Sequence, residues 1–201
     1  MNIKKLKESQ ALQETKERLE EKLEDQKIRS ILNWIFQISV TLIFGVLAGI
    51  FLFQSVTVQE SAMEPTLQVG EKFFVNRAVY KMSSPKRDDI IVYKTSGSDD
   101  AALHIGRVIG LPGETVQISN GTILINGEIY NEAHDFPAIS NAGVAADGIS
   151  LESGEYFILG DNRNNSEDSR YSDIGNISKK YIVGKVWFVI SPKEKFGFLK
   201  G

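Results

Sequence analysis

The segment Glu114-Thr-Val-Gln-Ile-Ser-Asn-Gly-Thr-Ile-Leu-Ile-Asn126 places an Asn-Gly pair, residues 120–121, between two β-rich runs. Asn-Gly is a preferred dipeptide for the two-residue turn of a β-hairpin, because both turn residues must adopt a positive φ. The segment therefore predicts two antiparallel strands. Further short β-rich runs, separated by turn residues, recur at 55–58, 72–79, 88–94, 102–110, 155–160 and 181–190.

These runs predict a mostly β domain with little helix over residues 54–201. Residues 131–150 differ from the rest of this region, because they are rich in Ala, Gly, Asn and Asp and show no clear period. We expect a loop there, or a reduced second subdomain.

The N-terminal quarter of the chain has a different composition. Residues 1–30 are almost all charged or polar and contain good helix formers without Gly or Pro, which predicts a solvated helix. A short coiled coil with a partner is the alternative.

Residues 31–53 carry no charge, and a helix of this length spans about 34 Å, enough to cross a membrane. The run is too long for a cleaved signal peptide. Lys27 and Arg29 precede it, whereas Glu60 and Glu64 follow it. The positive-inside rule therefore predicts a single-pass anchor with a cytoplasmic N-terminus and an extracytoplasmic main domain.

Composition excludes several classes of function. The chain has 23 Lys and Arg against 26 Asp and Glu, a net charge of −3, which gives no reason to expect a nucleic-acid partner. There is no cysteine, so disulfides and Cys-ligated metal sites are excluded. His104 and His134 are too few and too far apart to indicate a metal centre. We expect no metal and no cofactor.

Four stretches of residues 54–201 resemble type I signal peptidases in the order and spacing of that family. They are Val58-Gln-Glu-Ser-Ala-Met-Glu-Pro-Thr-Leu67 followed by Gly70-Glu71, Arg87-Asp-Asp-Ile-Ile-Val92, Arg107-Val-Ile-Gly-Leu-Pro-Gly-Glu114, and Gly160-Asp-Asn-Arg-Asn-Asn-Ser-Glu-Asp-Ser-Arg170. The resemblance implies the β fold of a signal peptidase behind an N-terminal helix and one transmembrane helix.

The resemblance also implies a mechanism. In the family, a serine directly before the Met of the first stretch attacks the peptide carbonyl, and a lysine directly before the Arg of the third stretch is the general base. Here the serine position holds Ala62 and the lysine position holds Gly106. A methyl group cannot attack a carbonyl, and a hydrogen atom cannot accept a proton. We therefore expect no catalytic residue.

By the same resemblance, an extended substrate adds itself to the edge of the sheet. The residues expected at this substrate groove are Glu60, Ala62, Met63, Pro65, His104, Gly106 and Arg107. Glu60 occupies a position where the family often has Gly or Ser, and its carboxylate would oppose a developing oxyanion.

Two neighbouring residues are candidate substitutes for the missing pair. If residues 58–63 are extended, Ser61 points away from the face used by residue 62. His104 lies on the face of Gly106 but about 6.7 Å away along the strand. We do not expect these two residues to form an active pair.

Four residues of the last stretch are expected to brace the site, as they do in the family: Asp161, Ser166, Asp168 and Arg170. Without a lysine to orient, they retain a structural role, in which Asp168 pairs bidentately with Arg170 or with another arginine.

Three hypotheses about function follow. The first is a non-catalytic chaperone or assembly factor for exported proteins, because signal-peptidase-like proteins that lack both catalytic residues occur with pilus-assembly systems of Gram-positive bacteria. Its partners would be the lipid bilayer, a pilin or other exported client bound as an extended peptide, and a sortase. The second is an active type I signal peptidase with an atypical dyad, or an inactivated variant of one. The third, a repressor-type Ser–Lys autopeptidase, fits poorly with a membrane anchor.

Overall fold

The computed structural model describes residues 3–98 and 101–199. The chain divides into two compact units after Phe51. Within the described residues there are two α-helices, α1 (Ile3–Leu52) and α2 (Val79–Met82). The strands are β1 (Phe53–Thr57), β2 (Lys72–Asn76), β3 (Ile90–Tyr93), β4 (His104–Gly110), β5 (Thr115–Ser119), β6 (Thr122–Ile125), β7 (Glu128–Ile129), β8 (Ile149–Ser150), β9 (Glu155–Leu159), β10 (Ile177–Ser178), β11 (Ile182–Ser191) and β12 (Gly197–Phe198).

Helix α1 is continuous and has no break at residue 30. Its stretch Leu12–Leu47 contains a segment long and apolar enough to cross a membrane. Large apolar side chains along it are exposed, such as Phe36 at 69% and Phe44 at 72%. Apolar surface of this kind is more stable in lipid than in water, which supports membrane association.

Helix α1 ends at Leu52, one residue before the end of the predicted anchor, 31–53. Phe53 is the first residue of β1 and pairs with Asn76 of β2. Its ring stacks on Trp187 of β11, with the ring centroids 5.0 Å apart. Strand pairing and aromatic contact therefore end the helix at Leu52.

The larger sheet contains eight strands in the order β1-β2-β11-β3-β4-β9-β10, with β12 added to β11. All of its pairings are antiparallel. The smaller sheet has the order β7-β6-β5-β8. The expectation of a mostly β domain with little helix is confirmed.

The predicted hairpin is confirmed as β5 and β6. Ser119 pairs with Thr122, which leaves Asn120 and Gly121 as the two turn residues. Their φ angles are 50° and 78°, the positive values that the turn requires.

In three places the structure adds detail that the sequence did not specify. Within the run 72–79, the strand ends at Asn76. The Asn76 side chain accepts hydrogen bonds from the N–H groups of Ala78 and Val79, and α2 begins at Val79. Residues 58–63 are not wholly extended, since Ser61–Met63 form a 3₁₀ turn closed by a bond from Glu64 N–H to Ser61 O. The region 131–150 is largely irregular but ends in β8, which pairs with β5.

The core of the β domain consists of three buried clusters. One includes Phe73, Val92 and Val186 of the larger sheet. A second joins the two sheets and includes Val116 and Phe157. The third contains Tyr93, Val108 and Ile158, and the side chains of Tyr93 and Ile158 lie next to Gly106.

Candidate functional site

A groove of about 330 Å³ lies between the first strand and the start of β4. Its lining residues come from β1, from the segment that follows β1, and from residues 102–105: Gln54, Ser55, Val56, Thr57, Gln59, Glu60, Ala62, Met63, Ala102, Leu103 and Ile105. Glu60 is the only charged residue among them.

The groove borders strand edges that have no partner strand within the described residues. β1 is the first strand of its sheet and pairs only with β2. β4 pairs with β9 only from Arg107 onward, so that His104, Ile105 and Gly106 pair with β3 alone. Free strand edges can hydrogen-bond an added extended peptide.

Ala62 lies in the 3₁₀ turn and is held there by the segment after β9. The carbonyl of Ala62 accepts a hydrogen bond of 3.0 Å from the N–H of Asn162. The Asn162 side chain donates to the carbonyl of Ser61 at 3.1 Å. The backbone of residue 62 is thus fixed, and its methyl group lines the groove.

Gly160 permits this close approach. A Cβ atom at this position would lie 2.6 Å from the carbonyl oxygen of Ala62 and 2.5 Å from Cβ of Ser166. The Ala62 backbone and the Ser166 side chain cannot both move away from a Cβ atom, so only glycine fits between the turn and the Ser166 loop.

Gly106 is buried in β4 and has no space for a side chain. A Cβ atom there would lie 2.4 Å from Cγ2 of Ile158, 3.3 Å from the carbonyl of Leu159 and 3.4 Å from Cε1 of Tyr93. Ile158 is fully buried and Tyr93 is 1% exposed. The volume next to Gly106 is therefore filled by its neighbours.

Of the three described residues around Gly106, which are Ile158, Leu159 and Tyr93, only Tyr93 has an ionisable side chain. Burial raises the pKa of its hydroxyl above the ordinary value, and the negative charges of Asp168 and Glu60 raise it further. Tyr93 therefore stays protonated at physiological pH and cannot act as a general base.

The two candidate substitutes have other partners. The Ser61 hydroxyl accepts a hydrogen bond of 3.2 Å from the Asn165 side chain, and Ser61 is not among the groove residues. His104 lies with Nδ1 3.5 Å from Oε2 of Glu60. Its ring also packs near Tyr93, with the ring centroids 5.7 Å apart.

Arg107 and Asp161 form a buried ion pair behind the groove. Arg107 donates from Nε and Nη2 to the two oxygens of Asp161, both at 2.8 Å, and the side chains are 1% and 0% exposed. Thr66 and the carbonyl of Asp88 complete the network. Burial lowers the pKa of Arg107, but the hydrogen bonds and charge of Asp161 outweigh that effect, so its pKa lies above the ordinary value.

A second buried network involves Ser166, Asp168 and Arg170. Arg170 donates from Nε and Nη2 to the two oxygens of Asp168 at 2.7 Å each. The same carboxylate accepts from the Ser166 hydroxyl at 2.7 Å and from the Gly160 N–H at 3.0 Å. Both oxygens of Asp168 therefore accept hydrogen bonds, and none of these bonds involves a side chain at residue 106.

Of the seven residues expected at the groove, the structure places Glu60, Ala62 and Met63 in its lining. Pro65 is exposed outside it, and the Arg107 side chain points to Asp161 instead. His104 and Gly106 lie beside it on β4 without lining it. The sequence analysis missed eight lining residues, for which only correct strand pairing could have provided a signal: Gln54, Ser55, Val56, Thr57, Gln59, Ala102, Leu103 and Ile105.

Comparison with known proteins identifies the scaffold. The model of the family described as signal peptidase, peptidase S26, matches residues 31–191. The chain belongs to this family. Signal peptidase I P of Bacillus subtilis subsp. natto is 36% identical over 188 residues, which cover 88% of this chain and 98% of that protein. Signal peptidase IB of Staphylococcus aureus (strain COL) is 32% identical over 185 residues, 84% of this chain and 93% of that protein.

Among solved structures, a signal peptidase I from Enterococcus faecalis V583 matches at 30% sequence identity with a TM-score of 0.40. The match covers 53% of this chain and 97% of that one. The family assignment confirms the resemblance to signal peptidases. In this chain the S26 scaffold carries Ala62 in the lining of the groove and Gly106 beside it on β4.

Proposed function

We propose that this S26-family protein is a non-catalytic, membrane-anchored binding protein that holds an extended segment of an exported client. One observation carries the proposal: the space next to Gly106 is occupied by Ile158 and Tyr93, while Ala62 presents only a methyl group to the groove. Acyl transfer requires a nucleophile and a base within hydrogen-bonding reach of one another.

The surrounding side chains support the absence of catalysis. Ser61 accepts a hydrogen bond from Asn165, whereas His104 lies 3.5 Å from Glu60. Tyr93 stays protonated. The carboxylate of Glu60 lines the groove, where it opposes the negative charge of a tetrahedral intermediate.

The groove nevertheless suits a peptide. It retains a volume of about 330 Å³ and two neighbouring strand edges that can accept an added strand. A site that binds without turnover need not favour a transition state over the bound peptide, so the full binding energy can serve to hold the client.

The proposed client is an exported protein such as a pilin, presented next to a sortase. This part of the proposal is an implication of the resemblance to signal-peptidase-like proteins of Gram-positive pilus assembly. In the proposed topology, residues 1–30 are cytoplasmic, the apolar part of α1 is a single-pass anchor, and the β domain is extracytoplasmic, in agreement with Lys27 and Arg29 before the span.

We expect the full-length protein in a nonionic detergent to show no hydrolysis of a fluorogenic Ala-x-Ala signal-peptide substrate, because neither reacting group is present. A relative named signal peptidase I, assayed in parallel, provides the positive control. Turnover that disappears on Ser61→Ala or His104→Ala, but not in a surface control such as Ser98→Ala, would contradict the proposal.

Peptide binding is the complementary measurement. We expect Ala62→Phe to weaken binding of an extended client peptide at least about tenfold, because the ring fills the groove. Ala133→Phe, on an exposed loop residue outside the groove, is the matched control and should leave affinity unchanged. Equal affinities for both variants would place the peptide elsewhere.

The names of the relatives favour a second candidate function, an active signal peptidase I that cleaves exported preproteins. That function would need an atypical dyad in this chain. The hydrolysis assay decides between the two.

A further inference from the structure

The groove combines apolar walls with a single negative charge. Among its described lining residues, only Glu60 is charged. Four of the others are polar without charge, namely Gln54, Ser55, Thr57 and Gln59. The remaining six are apolar: Val56, Ala62, Met63, Ala102, Leu103 and Ile105. A ligand that fills the groove therefore meets apolar surface and one carboxylate.

Glu60 lies where the two walls of the groove approach each other. It follows the last residue of β1 by three positions in the chain. Its Oε2 atom lies 3.5 Å from Nδ1 of His104, the first residue of β4. Leu103 and Ile105, the chain neighbours of His104, belong to the opposite wall. A peptide that lies between β1 and the start of β4 therefore passes this carboxylate.

The carboxylate of Glu60 has no strong cationic partner. Within residues 3–98 and 101–199, no lysine or arginine forms an ion pair with it. Its contact with His104, at 3.5 Å, is longer than a charge-assisted hydrogen bond. The Glu60 side chain is 55% exposed, so a ligand can reach it. Asp99 and Asp100 precede the groove residue Ala102 outside the described residues, and both are acidic.

A lysine or arginine side chain matches both features of the groove. Its methylene groups can pack on apolar surface while its charged end reaches a carboxylate. The charged end then forms charge-assisted hydrogen bonds with that carboxylate. A metal ion is a poorer match, because no group of three His, Cys, Asp or Glu residues that could hold one occurs in the part of the chain that the structure describes.

We propose that Glu60 selects a client segment that carries a lysine or arginine side chain. The inference rests on the proposed function, because it gives the chemistry of the segment that the groove holds. A segment with an acidic side chain is repelled by the carboxylate, and a neutral segment covers the charge without pairing it. Glu60 therefore determines which segments the groove accepts.

The test compares the binding of three short, end-capped peptides of alanine and threonine that differ only at one central residue, which is Lys, Gln or Glu. Each carries an uncharged dye, and its fluorescence anisotropy is measured with the full-length protein in a nonionic detergent. The assay is run at about pH 8 to keep imidazole groups neutral. We expect the Lys peptide to bind at least about fivefold more tightly than the Gln peptide, and the Glu peptide at least about fivefold more weakly.

Two variants of Glu60 test the origin of this preference. Glu60→Gln should bring the affinities of the Lys and Gln peptides within about twofold of each other. Glu60→Lys should invert the order, so that the Glu peptide binds most tightly, and a loss of folding cannot produce such an inversion. Glu152→Gln removes the same charge at an exposed residue outside the groove lining and should retain the full preference.

Equal affinities of the parent protein for the Lys and Gln peptides would overturn the inference. So would an equal loss of preference in Glu60→Gln and Glu152→Gln, which would assign the effect to the net charge of the chain. In either case the proposed function stands if the Gln peptide binds and Ala62→Phe weakens it. No binding of any of the three peptides contradicts both. Hydrolysis of the Ala-x-Ala substrate contradicts the proposed function alone, because the ratio of affinities does not depend on turnover.

Discussion

Replacement of Asp161 by alanine is expected to lower the free energy of unfolding of the β domain by about 3–5 kcal/mol. Arg107 is 1% exposed and would be left with a buried charge, the carbonyl of Asp88 as its hydrogen-bond partner and the Phe136 ring 5.5 Å away. Asp161→Asn should cost nearly as much, because the amide retains the shape but not the charge. This variant therefore separates electrostatics from packing.

The measurement is urea unfolding of the full-length protein in a nonionic detergent. The chain has two tryptophans, Trp34 in α1 and Trp187 in β11, so a Trp34→Phe background lets Trp187 report on the β domain alone. Asp173→Ala, at an exposed aspartate, is the matched control and should change stability by less than about 0.5 kcal/mol. A similarly small effect of Asp161→Ala would show that the pair does not stabilise the fold.

The second large effect is expected when a lysine is placed at residue 106. Gly106→Lys should lower the free energy of unfolding by about 1–3 kcal/mol through overpacking alone, because its Cβ would lie 2.4 Å from Cγ2 of Ile158. Gly97→Ala is the control, since a Cβ there meets nothing closer than 3.4 Å. If Gly106→Lys folds with unchanged stability, the space next to β4 is not filled as described.

The side chain of Ile158 is also expected to prevent peptidase activity when a serine and a lysine are placed at residues 62 and 106. Ala62→Ser/Gly106→Lys is expected to remain without measurable peptidase activity, because Ile158 displaces the lysine from the groove. Addition of Ile158→Ala should release cleavage of the Ala-x-Ala substrate at least about 100-fold above the double variant. Equal rates for the double and triple variants would mean that Ile158 does not control the site.

Two inferences from the sequence depend on backbone geometry that the sequence does not fix. The orientation of Ser61 assumes an extended backbone over residues 58–63, whereas the bond from Glu64 N–H to Ser61 O makes 61–63 a 3₁₀ turn. The resulting geometry places the Ser61 hydroxyl against Asn165. The resemblance implies Arg107 at the groove. Alternate residues of a strand face opposite sides, however, and the Arg107 side chain is paired with Asp161 outside the groove lining.

By itself, the sequence determined the features that depend on residues close to one another along the chain. The Asn120-Gly121 pair specifies its own hairpin, the uncharged run specifies a helix that lipid can accept, and the four motifs specify the family. The surroundings of Gly106 were decided only by tertiary structure, because Ile158 and Tyr93 reach it from strands on either side of β4. Antiparallel register likewise brings Arg77, Lys94 and Lys179 to one end of the sheet, and no local pattern encodes that register.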